Sequence, residues 1–222
     1  MTASHNPAAD NGVKLLVRGG KKASPEEEDA VEAEIAMASP RAAPEAPTPR
    51  RDAVDAYIAA AVAQLSPGGR LGGMRLVVDC AHGATTVTAP RVLAALGVEV
   101  LGTVGRDPSR PINEGCGTQQ PEAWQREVAS TPGVTGGMAF DGDGDRVLLA
   151  DEHGQILDGD PMLLLLARDM AQRGTLPGGT VVSTVMANLG LEEALAGAGL
   201  SLDRVAVGDR HVAARMLSLI HI

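Results

Sequence analysis

The chain has 222 residues and is acidic, with 28 aspartate and glutamate residues against 19 lysine and arginine residues. This charge balance argues against a protein that binds nucleic acid through its phosphates, and no apolar run is long enough to predict a membrane span. The start lacks the basic and apolar regions of a signal peptide, and the two cysteines, Cys80 and Cys116, are too few for a disulfide framework. We therefore expect a cytoplasmic protein.

The first segment combines a polar start with one clear helix. Residues up to about Val17 indicate a loop and a short strand. A helix is predicted from Pro25 to about Met37, because proline suits the first helical position and acidic residues follow it. Four prolines between Ser39 and Arg51 then predict a linker or a loose surface loop.

From Asp52 onward, helices and strands alternate. The predicted elements, in chain order, are the helix Val54–Leu65, the strand Arg75–Asp79, the helix Ala89–Leu96, the strand Val98–Val104, the helix Pro121–Ser130, and the strands Gly136–Phe140 and Val147–Ala150. Strand–helix–strand alternation indicates a parallel sheet with right-handed crossovers. Ligands of such sheets bind beyond the carboxyl ends of the strands.

A second α/β pattern begins near Asp158. It consists of the helix Asp160–Arg173, the strand Val181–Val185, the helix Leu189–Ala198 and the strand Val205–Val207. So short an α/β segment buries little surface by itself, and we expect the chain to be incomplete here. The predicted division is therefore into residues 1–51, residues 52–157 and a truncated part at residues 158–222.

The most informative motif follows the predicted strand Gly136–Phe140. Residues 141–146 read Asp-Gly-Asp-Gly-Asp-Arg. The carboxylates of Asp141, Asp143 and Asp145 repel one another, so a hard divalent cation with oxygen ligands would stabilise the run. Arg146 adds a planar fork that matches phosphate oxygens. The motif predicts a Mg²⁺ site that acts on a phosphorylated substrate.

The motif has two other interpretations. The aspartate spacing with Glu152 imitates an EF-hand calcium loop, but that loop requires glycine where Arg146 stands, and it requires flanking helices instead of strands. The motif could also be an acidic surface turn that binds no ligand.

A second polar motif lies near the start, where residues 2–7 read Thr-Ala-Ser-His-Asn-Pro. Ser4, beside His5 and Asn6, could be a nucleophile or a phosphoacceptor, or the motif could be an ordinary turn fixed by proline. Lys14 follows in Asn-Gly-Val-Lys, where a solvated surface lysine is the simplest interpretation.

Taken together and in this order, the motifs resemble those of the α-D-phosphohexomutase family. The resemblance rests on residues 2–7, on Asn11-Gly12-x-Lys14, on residues 77–84 (Val-Val-Asp-Cys-Ala-His-Gly-Ala) and on residues 141–146. Residues 112–118, 185–191 and 207–212 look like the bacterial branch of the family that acts on glucosamine phosphates. Gln119-Gln120 departs from the Thr-His that is usual in that branch.

The resemblance implies a fold and a reaction. The fold would be α/β, with mixed or parallel sheets sandwiched by helices. Ser4 would be a phosphoserine that exchanges its phosphoryl group with a phosphorylated hexosamine, interconverting glucosamine 6-phosphate and glucosamine 1-phosphate through a bisphosphate. Mg²⁺ would be bound by the Ser4 phosphate and by Asp141, Asp143 and Asp145. Catalysis would also involve Lys14 in proton transfer, Arg146 on phosphoryl charge, and His5 in support of the serine loop.

The resemblance also implies that parts of the family pattern are missing at both ends. The strand before Ser4, the sugar-recognition loop and a fourth domain are not found, and Leu217–Ile222 lacks an expected charged turn. We expect little or no mutase activity from this polypeptide alone. The alternatives are a mutase of the same family that acts on mannose or glucose phosphates, an aspartyl-phosphate phosphatase, and a non-catalytic Mg²⁺-binding chain.

Overall fold

A computed structural model describes residues 4–10, 12, 15–19, 21–39, 51–65 and 71–219. The chain divides into two compact units, Met1–Gly154 and Gln155–Ile222. Most of the predicted proline-rich linker, residues 40–50, lies outside the described residues, as does Lys14.

The first unit begins with a small hairpin and two helices. Strand β1 (Leu16–Val17) pairs antiparallel with β2 (Lys21–Lys22), and α1 (Pro25–Met37) and α2 (Arg51–Leu65) follow. Helix α1 starts with a capping box, because the Ser24 side chain accepts a hydrogen bond from the backbone N–H of Glu27 and the Glu27 carboxylate accepts one from the backbone N–H of Ser24. The predicted helix Pro25–Met37 is confirmed.

The main sheet of this unit is mixed. Its elements are β3 (Arg75–Asp79), α3 (Thr85–Ala95), β4 (Glu99–Val104), α4 (Glu122–Ser130), β5 (Gly136–Phe140) and β6 (Val147–Ala150). Within the unit the strands lie in the order β4-β3-β5-β6. Strand β3 pairs in parallel with β4 and β5, whereas β6 runs antiparallel to β5. The predicted α/β fold with a mixed sheet is confirmed.

Helices cover both faces of this sheet. On one face, Leu76 and Val78 of β3 pack with Leu93 of α3. On the other face, Gly137 of β5 is so close to Trp124 and Val128 of α4 that it has no room for a side chain. Because side chains alternate along a strand, the nearly continuous burial of β3 follows from its position between two helices.

Helix α3 begins earlier than predicted, at Thr85 instead of Ala89. The run Thr-Thr-Val-Thr is β-branched and argues against a helix when local propensity alone is considered. In the folded chain the Thr85 hydroxyl donates to the Cys80 carbonyl and the Thr86 hydroxyl donates to the Gly83 carbonyl. These contacts with the turn that follows β3 hold the first turn of α3 in place.

The second unit contains a parallel strand pair surrounded by helices. Its elements are β7 (Ile156–Leu157), α5 (Gly159–Gln172), β8 (Thr180–Thr184), α6 (Leu189–Gly197), β9 (Ser201–Val205) and α7 (Asp209–Leu219). Strands β8 and β9 pair in parallel. Ala167 of α5, Val181 of β8, and Leu191 and Leu195 of α6 form its buried core.

The last strand lies earlier than the predicted Val205–Val207. Strand β9 ends at Val205, and its five residues pair one to one with β8. The segment contains Asp203 and Arg204, which obscure a strand pattern in the sequence. Both charges form ion pairs, Asp203 with Arg215 and Arg204 with Glu192. The position of the strand is therefore determined by pairing with β8 and not by the apolar residues Val205–Val207.

Among the described residues, no helix has the length and apolar character needed to cross a membrane.

Candidate active site

The aspartate motif forms the loop between the antiparallel strands β5 and β6. The loop closes around Asp141, whose Oδ1 accepts a hydrogen bond of 3.1 Å from the backbone N–H of Arg146. The N–H of Gly144 donates to the Asp141 carbonyl at 3.0 Å. Gly144 has a φ of +76°, a conformation that glycine adopts at little cost. Flanking strands instead of helices agree with the rejection of an EF-hand.

The three aspartates of this loop place their carboxylates together. One carboxylate oxygen from each of Asp141, Asp143 and Asp145 lies within 4.8 Å of the others. Asp141 is fully buried, which contradicts a simple surface turn. Burial raises the pKa of Asp141, hydrogen bonds from Arg146 and Ser4 oppose that rise, and the charges of Asp145 and Asp143 add to it. A cluster of hard oxygen donors that repel one another fits a divalent cation such as Mg²⁺.

Ser4 lies directly on this loop. Its hydroxyl donates a hydrogen bond of 3.1 Å to Oδ2 of Asp141, and its carbonyl accepts one of 3.0 Å from the backbone N–H of Gly142. The Nδ1 atom of His5 is 3.5 Å from the Ser4 hydroxyl. The structure therefore brings the two sequence motifs into contact.

Glycine at position 142 permits this contact. A Cβ atom there would lie 2.6 Å from the Ser4 carbonyl oxygen and would also collide with Ile112. On the neighbouring turn, Gly83 lies against the Gly142 backbone in the same way, and the N–H of Ala84 donates to the Gly142 carbonyl at 2.9 Å. Three loops thus meet through backbone atoms, at a distance that only glycine allows.

The site includes two residues that the sequence analysis did not single out as functional. Asp79, the last residue of β3, is fully buried, and its carboxylate accepts hydrogen bonds from the N–H groups of Ala81 and Gly117. Asn113 donates from its side-chain amide to the carbonyls of Ser4 and Asn6. The position of Asp79 at a carboxyl strand end was a usable signal, whereas no spacing in the sequence links Asn113 to Ser4.

The remaining predicted site residues have different surroundings. Arg146 is exposed, and its Nε atom is 3.9 Å from Oδ1 of Asp145, a surface ion pair of small energetic value. Lys14 lies outside the described residues, so its predicted role is neither supported nor weakened.

The two cysteines are not candidates for a nucleophile. Cys80 and Cys116 are both free and buried. Burial raises the pKa of the Cys80 thiol to about 11 and that of the Cys116 thiol to about 12. A reactive cysteine requires the opposite shift.

A cavity of about 640 Å³ lies beside the serine loop. His5, Asn6 and Pro7 form one side, and residues of the 111–120 segment, including Asn113 and Gln119, form the other. The volume is within the range of small-molecule sites.

Comparison with known families gives the decisive observation. Models of the phosphoglucomutase/phosphomannomutase family match in consecutive order: alpha/beta/alpha domain I over residues 1–42, domain II over residues 55–154, and domain III over residues 158–220. The chain belongs to this family. The resemblance drawn from the serine and aspartate motifs is therefore confirmed.

Curated phosphoglucosamine mutases are among the relatives that this chain matches. The chain is 46% identical over 223 residues to the one from Paracoccus denitrificans, covering 97% of this chain and 49% of the relative. It is also 46% identical over 220 residues to the one from Zymomonas mobilis, covering 97% of this chain and 49% of the relative. The chain thus spans about half the length of these relatives.

Solved structures show the same fold at low sequence identity. A family protein from Burkholderia thailandensis superposes with a TM-score of 0.72 at 24% identity, covering 98% of this chain and 46% of its own. The N-acetylphosphoglucosamine mutase of Aspergillus fumigatus, solved with GlcNAc-6P and magnesium, gives a TM-score of 0.65 at 22% identity, covering 96% of this chain and 56% of its own. At these identities the likeness supports the fold alone.

Proposed function

We propose that this protein acts as a phosphoglucosamine mutase, an isomerase that interconverts glucosamine 6-phosphate and glucosamine 1-phosphate, with Ser4 as the phosphoryl carrier. The observation that carries the proposal is the contact of the Ser4 hydroxyl with Asp141, in a loop that clusters three carboxylates. A serine hydroxyl beside such a cluster is suited to phosphoryl transfer, in which positioning and charge stabilisation provide most of the catalysis.

The chain's own residues provide a site for Mg²⁺. Asp141, Asp143 and Asp145 would bind the ion together with the phosphate carried by Ser4. A bound Mg²⁺ would neutralise negative charge on the phosphoryl oxygens. In the unphosphorylated state the Ser4 hydroxyl donates a hydrogen bond to Oδ2 of Asp141. Phosphorylation removes that proton, so this oxygen is then released for a different partner.

The reaction proceeds in two balanced transfers. In the first, a sugar hydroxyl oxygen forms a bond to the phosphorus of phosphoserine, and the bond between phosphorus and Ser4 Oγ breaks. The proton of the sugar hydroxyl passes to a base, for which we propose Lys14, and then to the departing Ser4 oxygen. The resulting bisphosphate reorients, and the reverse transfer returns its other phosphoryl group to Ser4.

The other predicted residues have supporting roles in this scheme. Arg146, beside Asp145 at the exposed edge of the loop, would stabilise phosphoryl charge. His5, close to the Ser4 hydroxyl, would hold the serine loop. The cavity beside this loop has room for a phosphorylated sugar.

The substrate class rests on the named relatives, which are phosphoglucosamine mutases. A phosphorylated hexosamine is therefore the proposed substrate. We also propose a cytoplasmic location, which suits the two free thiols. We also propose the division of the chain into residues 1–51, 52–157 and 158–222, with the aspartate loop (residues 141–146) in the second part.

The test uses the protein expressed from its complete gene. With Mg²⁺ and a trace of glucosamine 1,6-bisphosphate, we expect glucosamine 6-phosphate to be converted to glucosamine 1-phosphate, and we expect Ser4→Ala to abolish conversion. No conversion of any hexose phosphate, or full activity in Ser4→Ala, would overturn the proposal. Faster conversion of glucose or mannose phosphates would instead place the protein in another branch of the same family.

A further inference from the structure

Asn113 joins the 111–120 segment to both ends of the turn Ser4-His5-Asn6, called the serine turn below. Its Nδ2 atom donates a hydrogen bond of 2.7 Å to the Ser4 carbonyl and one of 2.8 Å to the Asn6 carbonyl. Both hydrogens of one amide are thus used on a single three-residue turn. Among natural side chains of this length, an amide is the neutral group that supplies two such donors.

The Ser4 backbone requires support of this kind. Its φ of +49° is uncommon for a residue other than glycine and costs free energy unless the surroundings hold it. The Ser4 carbonyl accepts from Asn113 Nδ2 and from the N–H of Gly142, while the hydroxyl points to Asp141. The direction of the hydroxyl therefore depends on a carbonyl that Asn113 helps to fix.

Asn113 is itself fixed in place. It is 8% exposed, and its own φ of +64° is a conformation that asparagine tolerates. Its N–H donates to the Ala81 carbonyl at 2.8 Å. Asp79 accepts from the N–H groups of Ala81 and Gly117, and so anchors the turns on both sides of Asn113 to the end of β3.

We propose that Asn113 is a positioning residue for phosphoryl transfer, which holds the Ser4 and Asn6 carbonyls so that Ser4 Oγ faces the aspartate loop. The inference rests on the proposed function. It assigns Asn113 no contact with the transferred group. A misplacement of about 1 Å by a supporting residue is sufficient to slow a reaction about a hundredfold.

Asn113→Gly is the principal variant, because glycine accepts the positive φ at this position while the side-chain amide is removed. In the protein expressed from its complete gene, we expect kcat to fall about 10- to 100-fold, with KM and Mg²⁺ affinity changed less than about threefold. Asn113→Asp should lose more, since a carboxylate oxygen would then face two carbonyl oxygens. Hydrogen exchange at the backbone N–H groups of residues 5, 6 and 8 should be faster in both variants.

Gly73→Ala is the matched control. Gly73 also has a positive φ, +92°, with open space around it, and lies before the amino end of β3, away from Ser4. The substitution introduces backbone strain in the same unit but leaves the contacts of Ser4 unchanged. The kcat of Gly73→Ala should therefore stay within about twofold of wild type. Wild-type kcat in folded Asn113→Gly, or an equal loss in Gly73→Ala at equal stability, would overturn the inference. A wild-type protein that transfers no phosphoryl group would instead overturn the proposed function. The exchange measurement would still test whether the Asn113 amide holds the Ser4 and Asn6 carbonyls.

Discussion

The hydroxyl of Ser4 donates a hydrogen bond of 3.1 Å to Oδ2 of Asp141, although the two residues are 137 positions apart in the chain. One residue follows the start of the chain and the other follows the central strand β5. Their contact makes one site from two motifs that would each be ambiguous alone, and it places a phosphoacceptor beside three clustered carboxylates.

Mg²⁺ should stabilise the folded chain through the aspartate loop. At a concentration of about 100 times the dissociation constant, a ligand that binds only the folded state adds about 2.7 kcal/mol to the free energy of unfolding. We expect this gain in wild type and expect Asp143→Asn to weaken Mg²⁺ binding at least about tenfold, since it removes one charged ligand. Thermal unfolding with and without Mg²⁺ measures both.

Glu122→Gln is the control for that experiment. Glu122 is an exposed acid at the start of α4, outside the aspartate cluster, and its replacement removes the same unit of charge. Its response to Mg²⁺ should match wild type. An equal loss of response in both variants would show that Mg²⁺ acts through overall charge and not through the loop.

Gly142→Ala should displace the serine turn. The added Cβ would lie 2.6 Å from the Ser4 carbonyl oxygen, and a backbone atom cannot move aside as a flexible side chain can. Overpacking of this kind costs about 1–3 kcal/mol, and phosphorylation of Ser4 should be lost with it. Urea unfolding and phosphopeptide mapping check the two effects.

Gly72→Ala is the control for Gly142→Ala. With nothing within 4 Å of its added Cβ, it should change the free energy of unfolding by less than about 0.5 kcal/mol. Wild-type behaviour in Gly142→Ala would contradict the close packing.

Asp79→Asn should destabilise the first unit, even though burial raises the pKa of Asp79 and so disfavours its charged form. The carboxylate accepts from two backbone N–H groups, those of Ala81 and Gly117, with its two oxygens. Asparagine retains one oxygen and turns an NH₂ group toward the other donor, which costs about 1–3 kcal/mol. Urea unfolding should show this loss, whereas Asp107→Asn, at an exposed carboxylate, should show less. A more stable Asp79→Asn would mean that removal of a buried charge outweighs the lost acceptor.

The buried thiols predict a pH dependence. Because burial raises the pKa of Cys80 to about 11 and that of Cys116 to about 12, above their usual 9.0, the protonated thiols favour the folded state. Their contribution to stability is full below pH 9 and is lost as the pH rises from 9 through about 11 for Cys80 and about 12 for Cys116. Iodoacetamide should therefore label neither cysteine in the native chain at pH 8, and both once urea unfolds it. Fast labelling of the native chain at that pH would contradict this burial.

Much of the first unit could be predicted from the sequence, because its strands are short apolar runs bounded by turn residues. Strands β3, β5 and β6 have their predicted bounds. The beginning of α3 and the position of β9 could not be predicted. The hydrogen bond from the Thr85 hydroxyl to the Cys80 carbonyl, five residues earlier, holds the first, and pairing with β8 fixes the second. In both segments, contacts made outside the helix or strand itself override local preference.

The candidate site shows the same division. Its chemical groups can be predicted from the sequence, because clustered aspartates and a turn that contains serine are unusual patterns. The groups that position them cannot be predicted in this way. Asn113 acts through the backbone carbonyls of Ser4 and Asn6, and every residue has a backbone carbonyl. Gly142 is similar, since only the folded structure shows that Ser4 approaches it.

Mass spectrometry of the protein expressed from its complete gene tests most directly whether Ser4 carries the phosphoryl group. After incubation with Mg²⁺ and glucosamine 1,6-bisphosphate, intact mass should increase by a single phosphoryl group, and peptide mapping should place it on Ser4. Asp143→Asn should acquire it more slowly, and Ser4→Ala should not acquire it. An unmodified Ser4, or a phosphoryl group found as a labile acyl phosphate on an aspartate, would contradict the proposed phosphoserine mechanism.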